Sequence, residues 1–147
     1  MSIIDDLITD RTPADVASAT VNRDSAVNNR GAWTPAFDGN RVEGATLFVY
    51  DILMTRGYGA YLDIKTDWTE YDNLYITDIT RIRKNIDTLH NTFFTLSGWQ
   101  TIVYNDTLTH EQANILEQNI QLLYYVTTGF NDKPQVGTIT VGEDVFL

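Results

Sequence analysis

The sequence predicts a mainly α-helical fold, a compact bundle of about four helices with a short β element. Three observations carry this. Apolar residues recur at spacings of three and four along separate stretches, helix-start signatures stand ahead of several of them, and the composition is that of a folding chain. Of 147 residues, 43% are hydrophobic and 20% charged. That is enough for one domain to bury a core without disulfide or metal staples.

The first helix opens at Thr12-Pro13-Ala14-Asp15. The threonine hydroxyl suits the N-cap, proline suits the first helical position, and the carboxylate reaches back to the cap amide. Ala14, Val16, Ala17, Ala19 and Val21 give it a small-residue face, and the pattern runs on toward Asn28-Asn29-Arg30-Gly31. Trp33 to Gly39 reads as a turn whose aromatics fill a gap between helices. Asp38 or Asn40 is expected to cap the second helix, with Val42, Ala45, Val49 and Ile52 as its stripe and Leu47, Phe48 and Leu53 widening it. It ends at Arg56-Gly57, a cation followed by the glycine that a helix C-terminus favours.

Ala60 to Lys65 alternates apolar with polar residues apart from Tyr61, so a short strand is expected there. The third helix is expected from Thr77. Ile79, Ile82, Ile86, Leu89 and Phe93 form the cleanest seam in the chain, and Leu96-Ser97-Gly98 closes the element. A linker with Trp99, Ile102, Val103 and Tyr104 leads to a capping box at Thr109-His110-Glu111-Gln112. Ala113, Leu116, Ile120 and Leu123 then mark the last helix, which ends around Thr128-Gly129. The whole of 1–147 reads as one helical domain, with an N-terminal arm 1–10 and a β-prone C-terminal tail 134–147.

Charge narrows the partners. Twenty acidic side chains against ten basic ones give a net charge of −10, which repels phosphate backbones and argues against a nucleic-acid partner. Arg81-Ile82-Arg83-Lys84 is the one basic cluster, read as a solvated face of the third helix or as a donor to an acidic neighbouring chain. The longest apolar run, Leu47 to Met54, is interrupted by Asp51 and is far shorter than a bilayer span, so no membrane partner is expected. The N-terminus turns acidic at Asp5-Asp6, unlike a secretory signal, so synthesis in a cytoplasm without export by the usual route is expected. Cysteine is absent, which removes disulfides, thiolate metal sites and cysteine nucleophiles.

No chemistry-bearing motif emerges. His90 and His110 do not form a metal-binding spacing. Asp38-Gly39-Asn40 resembles the start of a calcium loop, but Val42 and Glu43 occupy the positions that need an oxygen ligand and glycine. Glu43, Asp67, Glu70 and Glu117 offer carboxylate pairs without a hydrolase context. Phosphate-binding glycine loops and nucleophile elbows are missing. The expectation is therefore a non-enzyme with no catalytic, cofactor-binding or metal-ligating residues and no cofactor. Tyr124-Tyr125 reads equally as interface or as core.

Four blocks in order carry a resemblance: Leu7-Ile-Thr-Asp-Arg-Thr-Pro-Ala-Asp-Val16, Asn40-Arg-Val-Glu-Gly-Ala45, Lys65-Thr-Asp-Trp-Thr69, and Leu108-Thr-His-Glu-Gln-Ala-Asn-Ile-Leu-Glu117. The chain resembles a family of small bacteriophage and prophage proteins, mainly from phages of Gram-positive, often gut, bacteria. It departs from that family's pattern between Leu96 and Thr107 and in a less aromatic tail.

The resemblance implies a virion structural protein of the tail, baseplate or fibre-attachment region. Its partners would be other phage structural proteins and copies of itself, as a homo-oligomer within an assembly. It brings no enzymatic residues. The arm and the tail are the expected docking elements, by strand addition to a neighbour's sheet edge. The alternative is a host-surface-binding (adhesion) module displayed on the particle, with Trp33, Trp68, Trp99 and Tyr104 as contacts. Within the blocks, Thr12 and Asp15 are expected to cap, Trp68 to seal the bundle, Asn114 and Glu117 to satisfy donors from a neighbouring loop, and Asp10 and Arg11 to pair with a helix.

Overall fold

A computed structural model of the chain describes residues 2–21, 30–93 and 96–128. Four α-helices lie among them: α1 (Pro13–Val21), α2 (Asn40–Thr55), α3 (Ile76–Thr92) and α4 (His110–Thr128). A 3-10 turn at Ile3–Asp6 precedes α1, and a π-helical turn at Pro35–Gly39 runs straight into α2.

The three long helices pack on one another in the same direction. Arg41 in the first turn of α2 pairs with Glu117 in the middle of α4, while Phe48 and Tyr124 meet seven residues further along each, with ring centroids 5.9 Å apart. Glu43 pairs with Arg81 near the starts of α2 and α3, and Tyr58 meets Phe93 edge to face beyond their ends. Parallel helices force each connection to travel back along the bundle. For α3, with 17 residues, that return is about 25 Å, so segments 56–75 and 93–109 are long for structural reasons.

The expected seams form most of the core, with the α2 stripe turning on Leu53 where Ile52 was expected; Ile52 is only half-buried. Val42, Ala45, Val49 and Leu53 of α2, Ile82, Ile86 and Leu89 of α3, and Leu116, Ile120 and Leu123 of α4 are all buried, joined by Ile4 from the arm and Leu96 and Ile102 from the second return. Leu47 and Phe48 lie at the rim of the stripe they were expected to widen, about one-third exposed. The Thr12–Asp15 cap forms as expected: Asp15 Oδ2 accepts from the Thr12 amide at 2.9 Å, and Thr12 Oγ1 accepts from the Asp15 amide at 3.2 Å. The Thr109–Gln112 box is also present, closed reciprocally at 3.1 Å in each direction.

Several expectations are corrected. No strand forms among the described residues, and residues 60–65 run as an irregular segment bonded to helix side chains instead of to a partner strand. The second helix is not capped by Asp38 or Asn40, because the helical turn already starts at Pro35. Thr34 takes the cap position, and Asp38 Oδ2 accepts from the Thr34 amide at 2.7 Å. Phe37, expected to fill a gap, is 59% exposed. The third helix begins at Ile76 rather than Thr77, with the Tyr75 amide held by Asp78 at 3.0 Å. Continuation of α1 past residue 21 and the tail 134–147 lie outside the described residues.

Candidate functional site

The four sequence blocks meet in space. Arg11 leaves the arm, Arg41 stands in the first turn of α2, and Glu117 lies in the middle of α4 with its side chain fully buried. Arg11 Nη2 donates to Glu117 Oε2 at 2.7 Å, and Arg41 holds both Glu117 oxygens at 2.8 and 2.9 Å. Arg41 also reaches Asp38 at 2.6 Å, with Arg11 3.5 Å from the same oxygen. The Ile8 amide donates to Glu117 Oε1 at 2.8 Å. Two cations face two carboxylates, so the buried cluster is neutral, which is the condition for tolerating charge away from water. Burial pulls the Arg41 pKa down, but hydrogen bonds and charge from Glu117 and Asp38 more than reverse this, and it sits above the ordinary arginine value.

Two residues further along α2, Glu43 anchors a second node at 1% exposure. It accepts from the Trp68 indole at 2.6 Å, the Lys65 amide at 3.0 Å and Arg81 Nη2 at 2.8 Å. Its hydrogen bond to Arg81 raises the arginine's pKa despite partial burial. The expectation that Trp68 seals the bundle is met, with the ring 5% exposed and Lys65 Nζ lying 5.0 Å over it. The Arg81–Lys84 cluster is not a solvated face. Arg81 is spent on Glu43, Arg83 is 1% exposed, and only Lys84 stands in solvent.

Arg83 has no carboxylate partner among the described residues. It instead donates to the Asn105 carbonyl at 2.9 Å, to the Thr107 carbonyl, and to Gln112 Oε1 at 2.8 Å. Burial holds its pKa below the ordinary arginine value. It ties the second return to the capping box of α4.

A third device repeats four times. Asn114 accepts from the Arg11 amide at 2.9 Å and donates to the Arg11 carbonyl at 3.0 Å. Asn40 does the same to Trp68, at 2.9 Å each way. Asn85 holds Asp63 at 3.1 and 2.7 Å, and Asn119 holds Gln100 at 3.1 and 2.9 Å. Each helix-borne amide thus offers a loop residue the donor and acceptor that a neighbouring strand would supply. Asn114 and Glu117 were expected from sequence to satisfy donors from a neighbouring loop, and they do so for the Arg11 and Ile8 amides. Asn85 and Asn119 were missed, although an asparagine inside a helix, where its propensity is poor, at a core-facing position was the available signal.

These groups are spent on one another and on backbone. Among the described residues, no three His, Asp or Glu side chains converge to hold a metal ion. A crevice among Trp33, Leu74, Ile79 and Leu116 is closed to water, and another beside Arg83 and Ile102 has about 10 Å³, room for one water at most. His90 stacks on Trp99 at 3.9 Å, and its Nε2 accepts from the Leu96 amide at 3.2 Å. Of the four expected surface contacts, Trp68 is buried and Trp33 and Trp99 pack half-buried against the core. Tyr104 alone is exposed, bonded to Asp87 at 3.2 Å, with burial of its phenol and then the Asp87 charge pushing the pKa up to about 12. Among the described residues, the aromatics most open to solvent are Tyr61 and Tyr71, 88% and 85% exposed, on the first return. No helix among the described residues is long and apolar enough to cross a membrane.

Comparison of the chain with protein-family models, with curated proteins and with solved structures returns no match.

Proposed function

We propose that the chain is a non-enzymatic structural protein of a bacteriophage particle, from the tail, baseplate or fibre-attachment region. It is made in the host cytoplasm and acts by docking to other virion proteins and to copies of itself. The reading starts from the four ordered blocks. The observation that carries it is how their polar side chains are used: Arg11, Arg41, Glu43, Glu117, Asn40 and Asn114 all hold the fold together. Residues that would otherwise be raw material for a reactive centre are locked in place. Mass spectrometry of purified particles tests this. The chain is expected at a fixed copy number relative to the tail proteins, and its absence from particles while abundant in infected cells would overturn the reading.

A second reading, a host-surface-binding module, is favoured by Tyr61 and Tyr71. Flat aromatic faces open to solvent suit stacking on sugar rings. Retention of the isolated chain on host cell walls, lost in Tyr61→Ala and Tyr71→Ala, would select it.

A further inference from the structure

The first return has one occupied edge and one open edge. Asp63 donates and accepts through Asn85, and its carbonyl also takes Arg81 at 2.6 Å. Two residues on, the Lys65 amide donates to Glu43. Side chains of α2 and α3 therefore occupy the place of a neighbouring strand along this edge. The backbone groups of Leu62, Ile64 and Thr66, on either side of these tied residues, take part in no hydrogen bond among the described residues. Leu62 packs on the core, so the segment is fixed before any partner arrives. A rigid edge with free amides and carbonyls is a template for strand addition.

We propose that residues 60–66 accept an added strand supplied by residues 136–141 of a second copy of this chain. This rests on the docking function above and names the surface and the segment. In Val136-Gly137-Thr138-Ile139-Thr140-Val141 every residue but the glycine is β-branched, which suits a strand. The segment carries no charge in a chain of net −10, so it approaches an edge bearing Asp63 and Asp67 without repulsion. Residues 129–135 follow the end of α4 and give the donor a reach of about 25 Å from Thr128. α2 and α3 supply the side chains that clamp this edge, and a docking protein that meets copies of itself brings a second tail to it.

The test is sedimentation of the full chain over a range of concentrations, beside a chain ending at Lys133 and an Ile64→Pro variant. Proline at 64 removes an amide that no described group uses, so the monomer's melting temperature serves as the folding control. The full chain is expected to self-associate, with the association constant falling by about tenfold or more in each variant. Hydrogen exchange on the unmodified chain reads the same contact independently of any substitution. The amides of Leu62, Ile64 and Thr66 are expected to gain protection as concentration rises. A chain that stays monomeric, association that survives either change, or protection unaffected by dilution (the signature of a chain's own tail) would each overturn the proposal. Presence in purified particles is measured separately, so the docking function and this pairing can fail independently.

Discussion

Asn119, buried in the middle of α4, grips the backbone of Gln100 by both of its polar groups, accepting from the amide at 3.1 Å and donating to the carbonyl at 2.9 Å. Asn114, at the start of the same helix, grips Arg11 in the same way. The surroundings differ. Gln100 is exposed and Arg11 is buried.

That contrast fixes an order of effects. Replacing either asparagine with leucine keeps the approximate volume and strands one donor and one acceptor. Water reaches Gln100 and compensates in part, so Asn119→Leu is expected to cost about 1–2 kcal/mol. Arg11 is 6% exposed, so water replaces its stranded groups less readily, and Asn114→Leu is expected to cost about 3 kcal/mol. Urea unfolding, with an unchanged slope confirming a two-state comparison, reads both. Equal losses would mean the clamps act through packing alone.

How far the fold was legible in the sequence follows from the same residues. Ile79, Ile82, Ile86 and Leu89 announced α3 because a single apolar face dictates a 3.6-residue period, and every one of them is buried. Residues 60–65 misled for a physical reason. Their alternation is that of a half-buried strand, but pairing comes from Asn85 and Glu43, which belong to other elements and leave no local mark. Arg83 misled in the same way: a cation on a helix reads as solvated unless its carbonyl partners, Asn105 and Thr107, are seen to fold over it. The parallel course of α2, α3 and α4 was hidden because periodicity identifies faces and says nothing of direction. Long returns between strong helix patterns were the one hint.

The Arg11–Glu117 pair should behave as part of a unit. Glu117→Gln leaves Arg11, Arg41 and Asp38 as two cations against one carboxylate in a buried place. A loss of about 3–5 kcal/mol is expected. Adding Arg11→Met to that change removes the surplus cation, so the double variant should be less destabilised than the sum of the two single changes. Additivity in a double-mutant cycle measured by denaturant unfolding would show the cluster to be independent contacts.

Two glycines of α2 and its leading turn separate rigid from yielding surroundings. A Cβ on Gly39 would stand 2.8 Å from Trp68 Cδ1 and 3.0 Å from two further indole atoms, and the indole is pinned by Glu43. A Cβ on Gly44 would meet only the terminal methyl of Ile3, at 2.9 Å, which has rotamers to move into. Gly39→Ala is expected to cost about 1–3 kcal/mol through overpacking. Gly44→Ala should be neutral or gain up to about 1 kcal/mol from helix propensity. Thermal unfolding compares them, and tryptophan emission should shift in the first variant only.

His90 gives the fold a pH dependence with a definite sign. Burial lowers its pKa below the ordinary histidine value, and Nε2 is occupied as an acceptor from the Leu96 amide. Protonation would put a hydrogen on that nitrogen and turn it against the amide, so the folded state binds the proton less readily than the unfolded chain. Stability from this site is therefore complete above the unfolded value of about 6.5 and declines as pH falls from there toward the lowered folded value. Below the folded value the decline ends, since both states are then protonated. His90→Gln keeps an acceptor within reach of Leu96 and cannot titrate. Melting temperatures between pH 7.5 and 5 should fall more steeply in the native chain than in this variant, and the two curves should converge in slope once His90 is protonated in both states. Parallel curves across the whole range would show that the Leu96 contact does not depend on the neutral imidazole.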